Sequence, residues 1–340
     1  MDLASVLPMT EGVLPRQETV VRTAQMLRQV GFYVADLHTV RPSCFDIIAR
    51  RDSQLLLIKI LKNIDAIGQT GAHSLISLAR LMRGAPLLIG STSGGQPLEE
   101  GVLYTRYGLG ILTFETLEDY LLKAIPPFLF SSPGGTFAKV NGHRLRMARE
   151  QSQTSLGAIA AMVGVSRRTI QLYEEGGGAE VDVIERLERI FEIPLAMPLN
   201  PFEESARIPR DSEIEVEGEP VEEPTPDTEK SLTSIISALG GQGWTVEVTV
   251  RSPFDAIARH HVVRQRSLVV LGVGDLSNAV RRARGLHEIA RVAEGWSAFI
   301  VPERKDRDNI EGTPIIAYSE LKRRRDPESL FELMEERTDG

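Results

Sequence analysis

A chain of 340 residues with 42% apolar content is long enough for two or three packed domains. Its single cysteine, Cys44, excludes an intrachain disulfide framework and a cysteine-rich zinc site, and suits a reducing cytoplasm. A formal net charge of -8 argues against indiscriminate coating of nucleic acid, so any contact with DNA is expected to be confined to a patch. No apolar run reaches the length of a membrane span, and Met1 to Leu14 lack the basic start and long apolar core of a signal peptide; a cytoplasmic protein without a membrane partner is predicted.

In chain order, the first unit predicted is an α/β arm over residues 1–130. An amphipathic helix leads to Gly31-Phe32-Tyr33-Val34, then to a strand at Phe45-Asp46-Ile47-Ile48-Ala49-Arg50 and an apolar strand from Leu55 to Ile60. A helix holding Ala79-Arg80 follows, then strands at Leu87-Leu88-Ile89 and Ile111-Leu112-Thr113-Phe114. Pro126-Pro127 and Ser131-Ser132-Pro133-Gly134-Gly135 read as the boundary of this unit.

The second unit, residues 136–200, carries the most specific pattern. A helix from about His143 to Glu150 buries Leu145 and Ala148 and leaves Arg144, Arg146 and Arg149 outside, within reach of phosphates. Thr154 or Ser155 caps a second helix with Ile159, Ala160 and Val163 inward. Gly164 supplies a positive φ, Val165 plugs the core, and Ser166 caps a helix whose inner face is Ile170 and Tyr173. Arg167, Arg168, Gln171 and Leu172 are then left outside, and Gly176-Gly177-Gly178 ends the helix. A further amphipathic helix through Val183, Leu187 and Phe191 ends before Ile193-Pro194. From Arg144 to Leu172 five arginines face the single acid Glu150, a local excess of four positive charges in an acidic protein. This is a helix-turn-helix with a Ser-Arg-Arg start, able to offer two guanidinium groups to base edges of double-stranded DNA.

Residues Leu145 to Glu150 and Gly164 to Gly176 resemble the five-helix DNA-binding domain of the lambda-repressor/Xre family. The resemblance implies that Ser166, Arg167, Arg168 and Gln171 approach bases. It also implies phosphate contacts from the first helix and from the start of the second, at Ser155. Leu156 departs from it, standing where the family commonly has glutamine, and Leu172 replaces a residue that is often polar.

Residues 201–229 form an acidic, proline-rich linker, with Glu213, Glu215, Glu217, Glu219, Glu222 and Glu223 among Pro220, Pro224 and Pro226. Residues 230–340 then repeat the first arm. Gly243-Trp244-Thr245-Val246 matches Gly31 to Val34, and Phe254-Asp255-Ala256-Ile257-Ala258-Arg259 matches Phe45 to Arg50. The strand Leu268 to Val273, Ala290-Arg291 with Gly295, Ala298-Phe299-Ile300 and Ile315-Ile316-Ala317-Tyr318 complete the correspondence. Arg281, Arg282, Arg284, Arg291 and the run from Lys322 to Arg325 are expected to be solvated or paired with acids such as Glu288, Glu320 and Asp326. His260-His261 are expected on a surface hairpin loop.

The element order, with Asp46 on one strand and Leu57-Ile58-Lys59 on the next, resembles the restriction-endonuclease-like (PD-(D/E)xK) fold. In such nucleases an Asp and a Glu bind magnesium and the Lys helps activate water. Here Asp46 and Lys59 remain, Glu18 is a further candidate, and Leu57 stands in place of the middle acid; in the second arm Asp255 stands alone, with Val270 and Gly272 at the other two positions. Each arm is therefore expected to be non-catalytic, its aspartate bonding nearby backbone amides. No phosphate-cradling glycine loop, Gly-x-Ser-x-Gly turn or histidine metal spacing occurs, so no cofactor and no metal is predicted. The fold class expected is multi-domain α and α/β: a central all-α lambda-repressor-like unit between two related restriction-endonuclease-like units. Over its whole length the architecture resembles an archaeal family of HTH-type transcriptional regulators. The function expected is a sequence-specific regulator that acts as a homodimer. The alternatives are a magnesium-dependent nuclease using Glu18, Asp46 and Lys59, and an interaction scaffold whose arms bind a protein or small effector.

Overall fold

The structure is a computed structural model that describes residues 15–35, 44–204, 226–249, 252–260, 268–274, 279–303, 307–324 and 326–338. The first arm comprises α1 (Arg16–Gln29), β1 (Tyr33–Val34), β2 (Ile47–Arg51), β3 (Gln54–Asn63), α2 (Gln69–Met82) and β4 (Ala85–Ser93). It continues with β5 (Gln96–Pro97), β6 (Val102–Arg106), β7 (Leu109–Leu112) and α3 (Phe114–Leu122). The apolar run in β3 is central: β2 pairs with it antiparallel and β4 parallel, and Leu55 to Ile58 are all buried. Strands buried on both faces need cover on both, and α1 with α3 lies over one face while α2 lies over the other.

The proline-glycine stretch read as a boundary is instead a hairpin. Here β8 (Leu129–Ser132) pairs parallel with β6, and β9 (Gly135–Lys139) pairs antiparallel with β8. Pro133-Gly134 makes the turn, and Phe130 stacks on Phe137 across it at 6.0 Å. Next come α4 (Gly142–Gln151), α5 (Leu156–Val163), α6 (Arg167–Glu174), β10 (Gly178–Glu180), α7 (Val181–Phe191) and α8 (Pro201–Glu204). β10 pairs with β9, so one sheet runs β1-β2-β3-β4-β7-β6-β8-β9-β10, with β5 on the edge of β4. The helical unit is thus bonded into the sheet of the first arm. Its core, around Leu145, Ile159, Val163, Ile170 and Leu187, takes in Ala138 and Ala179 from the strands.

The second arm holds α9 (Pro226–Gly240), β11 (Trp244–Val248), β12 (Ala256–His260), β13 (Leu268–Val273), α10 (Ala279–Val292) and β14 (Trp296–Val301). It ends with β15 (Asn309–Ile310), β16 (Thr313–Ala317), α11 (Tyr318–Arg323) and α12 (Pro327–Thr338). Its sheet order, β11-β12-β13-β14-β16-β15, repeats β1-β2-β3-β4-β7-β6. Register confirms the repeat: Ile60 pairs with Ile89 and Ile89 with Leu112, just as Val273 pairs with Ile300 and Ile300 with Ile316. His260 is a correction to the surface reading: it is 7% exposed at the end of β12, edge-on to Trp244 at 5.3 Å. His261 and the acidic stretch of residues 205–225 lie outside the described residues.

The two arms pack on each other through one apolar cluster that joins Ile48, Leu57 and Leu75 of the first to Ile257, Val270 and Leu286 of the second. The contact is reciprocal. Arg50 Nε donates to Val292 O at 2.6 Å, and Arg259, its counterpart on β12, donates to Leu81 O at 2.6 Å. Leu81 and Val292 are themselves equivalent, since Gly84 donates to Ala79 O as Gly295 donates to Ala290 O. Each arginine therefore meets the negative end of the other arm's helix, the signature of a two-fold interface built within one chain. Burial holds the Arg259 guanidinium below its ordinary value, with Arg83 nearby adding to the effect. Changing Arg50 and Arg259 together to alanine should cost about 3–5 kcal/mol, from two charge-assisted bonds to carbonyls. A chemical-denaturation midpoint identical to that of the unaltered chain would show that these bonds do not hold the arms. Cys44 lies in the same cluster, and burial pushes its thiol up to about 12.

Candidate nucleic-acid interface

The helices α4, α5 and α6 each start on a short polar side chain that the sequence supplies for the purpose. Asn141 Oδ1 accepts from Arg144 N at 3.1 Å, Ser155 Oγ from Ala158 N at 3.1 Å and Ser166 Oγ from Thr169 N at 3.0 Å. Gly164 ends α5 at φ 76°, which turns the chain so that α6 leaves at an angle to α5. The inner face of α6 is Ile170 and Tyr173, both buried, and this fixes which side chains remain outside. Arg167, Arg168 and Gln171 are exposed, as are Arg144 and Arg146 on α4 and Ser155 at the start of α5.

The two arginines stand in the first turn of α6, where the unpaired amides already make a positive end. A cation there costs about 0.3–1 kcal/mol, so the pair does not serve the helix itself; a bound anion or guanine edge would relieve it. Gln171 is tethered lightly, its amide donating to Glu175 at 3.3 Å, and Arg146 pairs with Glu150 at 3.0 Å on the surface. Leu172 is 50% exposed beside Gln171, offering the face an apolar group suited to a thymine methyl. Leu156 turns toward the core instead.

Arg149 departs from the phosphate-binding expectation. Its side chain is 15% exposed and its guanidinium lies against Glu174, Nη2 to Oε2 being 3.0 Å, so that α4 is clamped to the end of α6. The hydrogen bond to Glu174 also holds the Arg149 guanidinium above its ordinary value. The fork is spent internally, because Glu174 is even less exposed and would otherwise be a carboxylate with no partner. Arg149→Ala should thus act on folding, costing about 3 kcal/mol by leaving that carboxylate uncompensated. Unchanged stability together with uniformly weaker DNA binding would restore the phosphate role.

The arms' aspartates are occupied too. Asp46 accepts from Ile60 N at 2.8 Å, faces Lys59 at 3.5 Å and is bonded by Arg16, which also donates to Ile60 O at 2.9 Å. Asp255 accepts from Val273 N at 2.6 Å and is bonded by Arg282. Both therefore bond backbone amides, and in both a guanidinium lies on the carboxylate that a divalent cation would need. The arginines come from different helices, α1 and α10, and Gly71 stands at the counterpart of Arg282. Leu57, at the acid's place, is fully buried and Glu18 is exposed on α1. Among the described residues no group of three or more His, Cys, Asp or Glu side chains is placed to hold a metal ion. Arg291 pairs with Glu288 at 3.5 Å and lies over the Tyr33 ring of the other arm. Glu320 pairs with Arg337 at 2.7 Å.

Among the described residues no helix is long and apolar enough to cross a membrane. Residues 16–127 match the family described as PD-(D/E)XK superfamily domain, and residues 145–197 match the helix-turn-helix family. No solved structure matches the chain. A protein of Methanosarcina acetivorans called "Putative HTH-type transcriptional regulatory protein" is 36% identical over 97% of this chain and 98% of its own length. Proteins of the same description from Methanosarcina barkeri and Halorubrum lacusprofundi are 35% and 32% identical over 97% and 95% of this chain, with 98% of each covered. With this identity sustained from end to end, and a helix-turn-helix bonded to a PD-(D/E)XK arm, the chain belongs to the archaeal family of HTH-type transcriptional regulatory proteins.

Proposed function

We propose that this protein is a cytoplasmic, sequence-specific DNA-binding transcription regulator, without enzymatic activity, that acts as a homodimer and needs no cofactor. Of the segments read from the sequence, residues 1–130 and 136–200 are joined by the β8–β9 hairpin into one sheet, residues 201–229 link them to the second arm with α8 and the start of α9 at their two ends, and residues 230–340 carry the rest of that arm. The observation that carries the reading is α6: a capped helix whose core side is satisfied and whose outer side offers Arg167, Arg168 and Gln171 unburied. The Ser166–Tyr173 segment enters the major groove, Arg167 and Arg168 read bases, preferably guanine at O6 and N7, and Gln171 assists. Arg144 and Arg146 hold phosphates, joined by Ser155 and the amides at the start of α5. The second copy associates through a surface other than the arm-to-arm face, which each chain fills by itself.

Selection of bound duplexes from a random pool at physiological salt tests the proposal. It expects one enriched sequence, bound at least about 1,000-fold more tightly than bulk DNA. Retention of all sequences alike would favour a scaffold with a weak DNA anchor. The nuclease reading is favoured by the PD-(D/E)XK match alone. Branched and duplex DNA incubated with Mg²⁺ or Mn²⁺ should stay intact; cleavage abolished by Asp46→Ala would favour an enzyme.

A further inference from the structure

The internal repeat permits a comparison within one molecule. Both Gly31 and Gly243 have positive φ before β1 and β11, Gly31 N donates to Arg28 O as Gly243 N donates to Gly240 O, and Leu27 and Leu239 are both buried one turn earlier, so Arg22 on α1 corresponds to Ser234 on α9. The strand register likewise makes Phe114 the counterpart of Tyr318. In the first arm the Arg22 guanidinium lies 4.3 Å over the centre of the Phe114 ring. In the second arm that guanidinium is gone, and beside the Tyr318 ring is a cavity of about 200 Å³ lined by Ser234, Ile235, Val273, Val301 and Pro302.

The place of this cavity is as informative as its shape. Val273 and Val301 are the last residues of β13 and β14, and Tyr318 directly follows the last residue of β16. The three strands are parallel, so the cavity opens at their carboxyl ends, where open α/β sheets take ligands. Its volume is below the roughly 300 Å³ at which drug-sized ligands begin, which limits the occupant to a small molecule. Among the described residues its walls are otherwise aliphatic, the polar side chains that line it are Ser234 and Tyr318, with Tyr318 Oη donating to Ser234 O at 3.5 Å, and its aromatic ring is the counterpart of the one that carries a guanidinium in the other arm. A planar cation is attracted by the ring quadrupole and donates to hydroxyl oxygens without needing a carboxylate.

We propose that the cavity between α9 and the ends of β13, β14 and β16 binds a small guanidinium or amidinium compound, which takes the place of the Arg22 side chain of the first arm. Binding here is independent of what α6 contacts, so the test does not depend on the DNA reading.

The probes are agmatine and benzamidine, with benzamide as a neutral compound of nearly the same shape, titrated into the full chain and followed by calorimetry or ligand-observed NMR. Both cations should bind with dissociation constants on the order of 1 mM or tighter, and benzamide about tenfold more weakly or worse. Ser234→Arg should rebuild the stacked pair of the first arm, keep the melting temperature, and abolish binding of both probes. Tyr318→Leu removes the ring while retaining apolar bulk, and should weaken the cations about tenfold with little change for benzamide. The proposal is overturned if neither cation binds at about 10 mM, if benzamide binds as tightly as benzamidine, or if binding survives both substitutions.

Discussion

Replacing Arg167 and Arg168 together by alanine should lower affinity for the selected duplex by about 2–6 kcal/mol, roughly 30-fold to 10⁴-fold, while leaving the helix-turn-helix folded. Each bidentate contact to a guanine contributes about 1–3 kcal/mol of discrimination, and the two side chains are adjacent in the first turn of α6. Neither is tied down: both are exposed, and the first turn of α6 contains no acid to hold them. The protein without DNA gives up nothing when they are removed. By the dipole argument the helix should even gain a few tenths of a kcal/mol. A parallel loss on the selected and the scrambled duplex would assign the two arginines to phosphates rather than bases. Loss of folding would assign them a structural part that the geometry does not show.

Gly142→Ala should have the largest effect on stability of any single methyl added to the central unit, about 3 kcal/mol or more. The new Cβ would stand 2.2 Å from Glu174 O and 2.7 Å from Tyr173 O. These are backbone atoms at the end of α6, and no rotamer relieves them. The first turn of α4 would have to back away from α6, and with it the Arg149–Glu174 pair that joins the same two helices. A useful contrast is Gly164→Ala, where the Cβ meets open space and only the φ of 76° is strained, an effect of about 1 kcal/mol. Because the unit is continuous with the first arm through β8 and β9, the Gly142 substitution should move the main unfolding transition of that sheet as well. Equal denaturation midpoints for the two variants would rule out the close approach of α4 to α6.

The helix-turn-helix could be read almost entirely from the chain because its signals are local. Ser155, Ser166 and Gly164 each act within a turn of their own position, and the spacing of Ile170 and Tyr173 sets the inner face. The repeat of the arms was legible for a related reason: strand, glycine and aspartate recur in the same order, and register then fixes the rest. What escaped were pairings between distant residues. A three-residue strand such as β10 has no periodicity to show, and Pro133-Gly134-Gly135 suits a hairpin turn as well as a linker. Arg149 has the helical position of a surface residue, and only the approach of α6 brings Glu174 under it. The guanidinium groups on Asp46 and Asp255 come from 30 and 27 residues away, at positions the two arms do not share.

Sequence-specific recognition depends on the contact between α6 and guanine, and a chemical change in the DNA probes it without altering the protein's fold. In the selected duplex, each guanine in turn would be replaced by 7-deazaguanine, which lacks the N7 acceptor, and binding measured for the unaltered chain, Arg167→Ala and Arg168→Ala. The prediction is that one guanine substitution weakens the unaltered chain by about 1 kcal/mol or more and has no further effect on the variant lacking its arginine, a coupling that identifies the pair. Losses that are the same in the unaltered chain and in both variants, at every guanine, would contradict it.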